Sequence, residues 1–168
     1  MTKMVRRMAL ALGLAGSLGT SAGAAPPQEA APEAMAPSLG DVLPAFVADG
    51  LDGKSQYVDF PKGSSTVLVF FLSSCPHCHK MIPLWNKAFD DKPASVKMIG
   101  VLMDQEPPGF FTGMPVSFPV VRSPGRGFLN SIKVRRAPLT LRVSGGGTVE
   151  DETLGEIDAE RLQQFFKK

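Results

Sequence analysis

Seven consecutive uncharged residues, Thr66-Val67-Leu68-Val69-Phe70-Phe71-Leu72, are dominated by β-branched and aromatic side chains. Such a run reads as a buried strand, which needs packed layers around it. Pro76–Phe89 follows, with Cys78, Met81, Ile82, Trp85, Ala88 and Phe89 at the i, i+3, i+4, i+7 spacing of one helical face. Pro83 lies inside that pattern and removes a helical hydrogen bond, yet the apolar spacing continues beyond it. Val96–Met103 is a second apolar run. Strand, helix and strand within ~40 residues make a βαβ unit, with parallel strands and a right-handed crossover.

The flanking segments extend this unit into a mixed sheet. Asp41–Val47 and Ser55–Val58 surround Asp49-Gly50 and Asp52-Gly53, the pattern of an N-terminal β-hairpin. Asp104–Ser123 carries Pro107, Pro108, Pro115 and Pro119 and reads mostly as loop, with a short strand at Phe118–Val121. A short helix is expected at Gly127–Ile132. Leu139–Val143 and Thr148–Leu154 flank Gly145-Gly146-Gly147 as a second hairpin. A last helix, capped by Asp158, buries Leu162, Phe165 and Phe166. The fold class is α/β, a central mixed sheet flanked by helices.

The chain has 168 residues, and they begin with something other than this domain. Lys3, Arg6 and Arg7 precede an apolar run from Met8 to about Leu18, and Ala22-Gly23-Ala24 follows. Basic, apolar, then A-x-A is the pattern of a cleaved export leader over residues 1–24. The apolar run is shorter than the ~20 residues that span a bilayer, so membrane attachment is expected only if this segment is retained. Residues 25–38 are rich in Ala and Pro and read as a flexible spacer, and the domain is expected over 39–168. Removing the leader takes the charges of Lys3, Arg6 and Arg7 from a formal total of +2 and leaves −1. No basic face suggests nucleic acid.

Both cysteines and both histidines of the chain lie in one window, Cys75-Pro76-His77-Cys78-His79, between the buried strand and the helix. Thiol or transition-metal chemistry that needs these residue types is confined to it. A disulfide between cysteines three apart closes too small a loop to staple a fold. In an oxidising compartment its value lies in being made and broken. Cys75 falls at the N-terminal tip of the helix, where unpaired N–H groups and the helix dipole favour a thiolate. Pro76 fits the first helical position, where its missing N–H is harmless. His77 can add a hydrogen bond or positive charge. Cys78 lies one turn along on the apolar face. Cys75 is thus the expected nucleophile and Cys78 the expected resolving thiol, with Pro76 and His77 as thiolate-tuning residues. Arg135-Arg136 reads as a solvated charge pair.

With these elements placed, residues 38–166 resemble the thioredoxin superfamily. They are most similar to the exported thiol–disulfide oxidoreductases of the TlpA/ResA kind. The likeness rests on Gly40-Asp41, Pro44-Ala45-Phe46 and Asp52-Gly53-Lys54, on the CxxC after a strand, on Pro83, and on Ala137-Pro138 before a late strand. It implies a thioredoxin-like fold, a redox-active Cys75–Cys78 disulfide with no other cofactor and no metal, and a cis bond at Pro138. It also implies that Ala137 and Pro138 bind an extended protein substrate by main-chain pairing. Protein thiols or disulfides are the implied substrates, together with an upstream membrane or soluble redox partner, in the periplasm or otherwise outside the cytoplasm. Two departures stand out. Ser74 replaces a common Trp, and Val69 occupies the position of an often buried acid, so another base or water must assist Cys78. The CPHC sequence resembles the oxidising DsbA type, whereas TlpA/ResA proteins usually act as reductants.

Two other chemistries use the same window. Cys75-x-x-Cys78-His79 matches the attachment signal of a c-type haem, with Met81, Met98, Met103 or Met114 available as second ligand. The two cysteines and His79 also suit a copper metallochaperone. A structural zinc site does not, since four ligands within five residues cannot close a tetrahedron.

Overall fold

A computed structural model describes residues 33–167. The expected leader, residues 1–24, lies outside them. The strands are β1 (Phe46–Gly50), β2 (Ser55–Val58), β3 (Ser65–Phe71), β4 (Val96–Leu102), β5 (Val120–Arg122), β6 (Leu139–Ser144) and β7 (Val149–Leu154). The helices are α1 (Pro76–Asp91), α2 (Phe110–Gly113), α3 (Arg126–Ser131) and α4 (Ala159–Gln164). All seven strands join one mixed sheet in the order β2-β1-β5-β4-β3-β6-β7.

β3 behaves as its composition demands. It pairs parallel with β4 and antiparallel with β6, and every residue from Thr66 to Phe71 is buried. Leu68 and Phe70 enter one apolar cluster with Phe46, Leu129, Leu139 and Leu141. Val67, Val69 and Phe71 enter the other, against Cys78, Met81, Trp85, Leu162 and Phe165. Alternate side chains of one strand thus anchor two cores. α1 supplies the expected face of the second cluster and runs through Pro83, which is exposed.

Several details go beyond the sequence reading. The proline-rich segment contains the single-turn helix α2, and β5 ends at Arg122 rather than Val121. The spacer expected over 25–38 does not stay free to its end. Pro37 is buried, Ala36 packs on the first core, and the Met35 carbonyl accepts from Arg135 N–H at 3.1 Å. Arg142 is buried in β6, where it donates to the Phe165 carbonyl at 2.7 Å, to Glu150 at 2.9 Å and to Ser65 Oγ at 3.1 Å. These partners satisfy its guanidinium and tie the end of α4 to the sheet. Asp158 caps α4, accepting from Arg161 N–H at 2.7 Å.

Gly100 of β4 lies beneath the Phe118 ring. A Cβ there would meet that ring at 2.7 Å and Phe71 at 3.1 Å. Gly100→Ala is expected to destabilise the domain by about 1–3 kcal/mol through overpacking, measured by urea unfolding.

Candidate active site

The reactive window sits where β3 runs out. Cys75 takes the N-cap position of α1 with extended backbone, and Pro76 is the first helical residue. The Cys75 N–H donates to the Leu72 carbonyl at 3.3 Å, and its own carbonyl accepts from His79 N–H at 3.1 Å. Cys75 is half-buried and Cys78 is fully buried among apolar side chains of α1 and the sheet; both are free thiols. Burial above all pushes the Cys78 thiol up to about 12. Neighbouring Cys75 and the Asp104 charge push the same way, against a backbone hydrogen bond at Leu72.

Ala137 and Pro138 arrive from far along the chain, immediately before β6. The bond between them is cis, and the Ala137 carbonyl oxygen faces Cys75 Sγ at 4.0 Å. A shallow depression beside them is lined by His77, Arg136, Leu154 and Glu156. Cys75, Ala137 and Pro138 thus come together. The His77 ring, which lines the same depression, is committed to another partner. Its Nδ1 pairs with the Glu156 carboxylate, which also accepts from Lys80 Nζ at 3.0 Å. His77, then Lys80, hold the Glu156 carboxyl below its ordinary value. Arg135, of the Arg135-Arg136 pair, contacts Glu33.

Asp104 is the site residue that the sequence reading missed. It follows β4, the parallel neighbour of β3, and the register Phe71 with Leu102 carries it opposite Ser73. Its carboxylate accepts from Ser73 N–H at 2.7 Å, Ser73 Oγ at 3.0 Å, Ser74 N–H at 3.1 Å and Ser74 Oγ at 2.9 Å. Burial raises its carboxyl, but these four bonds outweigh burial and hold it below the ordinary carboxylate value. Both residues leading into Cys75 are fixed by one side chain. The available signal was its position, an acid at the carboxyl end of a parallel strand, where α/β folds gather their sites.

His79 completes the turn. Its Nε2 donates to the Ser73 carbonyl at 2.7 Å, and its ring lies 5.7 Å from that of Phe110. The nitrogen that a haem iron would need is turned inward to the backbone. Among the described residues, no three His, Cys, Asp or Glu side chains gather in a metal-binding arrangement.

The Redoxin family model matches residues 38–160, most of the chain. The chain belongs to the Redoxin family. Within that family it is similar to thiol-disulfide oxidoreductase ResA of Bacillus thuringiensis (strain Al Hakam), 26% identical over 134 residues, covering 77% of this chain and 78% of the relative. It is also similar to sporulation thiol-disulfide oxidoreductase A of Bacillus subtilis (strain 168), 25% identical over 114 residues, covering 64% and 69%. In fold it matches the crystal structure of StoA from Bacillus subtilis with a TM-score of 0.65 at 23% identity, over 75% of this chain and 98% of that one. A putative thiol:disulfide interchange protein DsbE from Chlorobium tepidum matches with a TM-score of 0.66 at 23% identity, over 77% and 96%. This Redoxin is a ResA-like member of the thioredoxin superfamily and a thiol–disulfide oxidoreductase. Such exchange carries its electrons in cysteine sulfur and calls for no bound cofactor.

Two expectations follow from the geometry. At pH 8, iodoacetamide modifies Cys75 of the reduced protein and leaves Cys78 untouched until unfolding, read by peptide mass spectrometry. Asp104→Ala leaves the buried Ser73 donors unpaired and costs about 1–3 kcal/mol at pH 7. Because the folded carboxyl lies below its unfolded value, this contribution is present above about pH 4 and fades as pH falls further. The unfolding gap between variant and wild type should close accordingly.

Proposed function

We propose that the chain exchanges disulfides with exported protein substrates, with Cys75 as nucleophile and Cys78 as resolving thiol. The contrast in burial between the two sulfurs supports this assignment: Cys75 reaches the surface at a helix N-terminus, and Cys78 does not. In the reductive direction the Cys75 thiolate attacks a substrate disulfide. A Cys75–substrate bond forms, and the other substrate sulfur leaves as thiolate. Cys78 then loses its proton and attacks Cys75 Sγ, releasing the second substrate thiolate. Two electrons have passed to the substrate, and Cys75–Cys78 is left as a disulfide. The oxidative direction is the reverse.

Ala137 and Pro138 are the proposed substrate platform. The nearness of the Ala137 carbonyl to Cys75 supports this, since an extended peptide pairing there lays its own disulfide over the nucleophile. Pro76 and His77, the residues between the cysteines, are the proposed thiolate-tuning positions, His77 only to the extent that Glu156 leaves it free. The basic and apolar character of residues 1–24 supports export, with residues 25–38 as the link to the domain. A membrane-bound or soluble redox partner returns the cysteine pair to its starting state.

Cys78→Ser should accumulate mixed disulfides with substrate proteins through Cys75, detected on non-reducing gels. Cys75→Ser should accumulate few, and equal trapping by Cys75→Ser would reverse the two roles.

A further inference from the structure

The segment Gly155-Glu156-Ile157 bridges the two halves of the site. Gly155 N–H donates to the Pro138 carbonyl at 2.7 Å, with Gly155 at φ +102, a backbone shape that suits glycine. Ile157 N–H lies 3.5 Å from Met81 Sδ of α1. Between these anchors, Glu156 reaches the first turns of α1 and takes both His77 Nδ1 and Lys80 Nζ on the same oxygen, Oε1. A carboxylate only accepts, so Nδ1 is the donor to it. The carboxylate is mounted on the chain that also braces the Ala137–Pro138 loop, so its place relative to Cys75 is set from two sides.

A cation or hydrogen-bond donor turned to Cys75 stabilises its thiolate, favours the reduced pair and makes the disulfide a stronger oxidant. The charged groups around His77 are Glu156 from the β7–α4 connection, Lys80 from α1 itself and Arg136 from the loop before Pro138. The His77 ring and the Lys80 ammonium on the helix tip are both engaged by Glu156. We propose that Glu156 is a positioning residue that weakens the oxidising power of the Cys75–Cys78 pair by committing His77 Nδ1–H and the Lys80 ammonium to its own carboxylate, so that neither is free to serve a Cys75 thiolate. The proposal rests on the assignment of Cys75 and Cys78 as the redox pair. It accounts physically for a CPHC sequence working in a ResA-like scaffold, because the histidine that favours oxidation is occupied elsewhere.

The pair is exposed, with His77 and Glu156 side chains 65% and 39% accessible, so solvent screens it and the effect is modest. The test is the redox equilibrium with glutathione of the full chain, its Glu156→Gln and His77→Ala variants, and the double variant. Glu156→Gln should raise the equilibrium constant for oxidising glutathione roughly two- to fivefold, about 10–20 mV more oxidising, and speed alkylation of Cys75 at neutral pH. His77→Ala alone should stay near wild type, and in that background the effect of Glu156→Gln should fall to less than half. An unmoved or lowered constant in Glu156→Gln overturns the proposal. So does an equal rise with and without His77, which would mean that the charge acts on Cys75 directly. A marked fall in His77→Ala alone overturns it as well. Failure of the wild-type protein to equilibrate with glutathione sinks the redox pair itself, whereas normal wild-type equilibration with an unmoved variant sinks only the role of Glu156.

Discussion

The burial of β3 on both faces is the constraint on which the rest depends. A strand that feeds Leu68 and Phe70 into one core and Val67, Val69 and Phe71 into another cannot lie at an edge. Its neighbours β4 and β6 satisfy its backbone, and helices cover both sheet faces. The chain can leave such a strand only at the rim of the sheet. There Leu72 gives way to Ser73 and Ser74, and α1 starts with its first N–H groups unpaired. A cysteine at that point is carried by a strand buried on both faces, and its partner one turn later is drawn into the core.

At this rim two acids from distant segments do what local sequence cannot. Asp104 accepts four hydrogen bonds from the two serines that precede Cys75 and fixes the path into it. Val69, where related proteins often keep a buried acid, is plain core. A carboxylate acting on the cysteine pair instead enters from the end of β4, and its charge disfavours a Cys78 thiolate. Glu156 acts from the opposite side, on the helix tip rather than on the turn.

What was legible in the sequence was whatever is written in neighbouring residues. The apolar run of β3, the periodicity of α1 past Pro83 and the Gly-rich turn between β6 and β7 each declare themselves within a dozen positions. The cysteine pair did so too, because the strand and helix around it were clear. Pro138 was reachable only through the family resemblance, since it stands 60 or so positions from the cysteines it faces. Asp104 and Glu156 left no local mark. Asp104 meets residues 30 and 31 positions away, and Glu156 meets His77 across 79. The partner of the His77 ring was out of reach for the same reason. Its spacing from Cys75 is local, but the carboxylate that claims it is not. Arg142 shows the same limit in the core, where an arginine inside a strand pattern is satisfied by the end of the chain.

With Cys78 sealed beneath the first turn of α1, the molecule shows the outside world a single cysteine thiol. In the proposed exchange it bonds covalently with one partner at a time, and a second partner waits until the internal disulfide has displaced the first. Electron donor and electron acceptor are thereby separated in time rather than in space. One shallow surface can serve both, and the protein needs no second docking face to keep the two half-reactions apart.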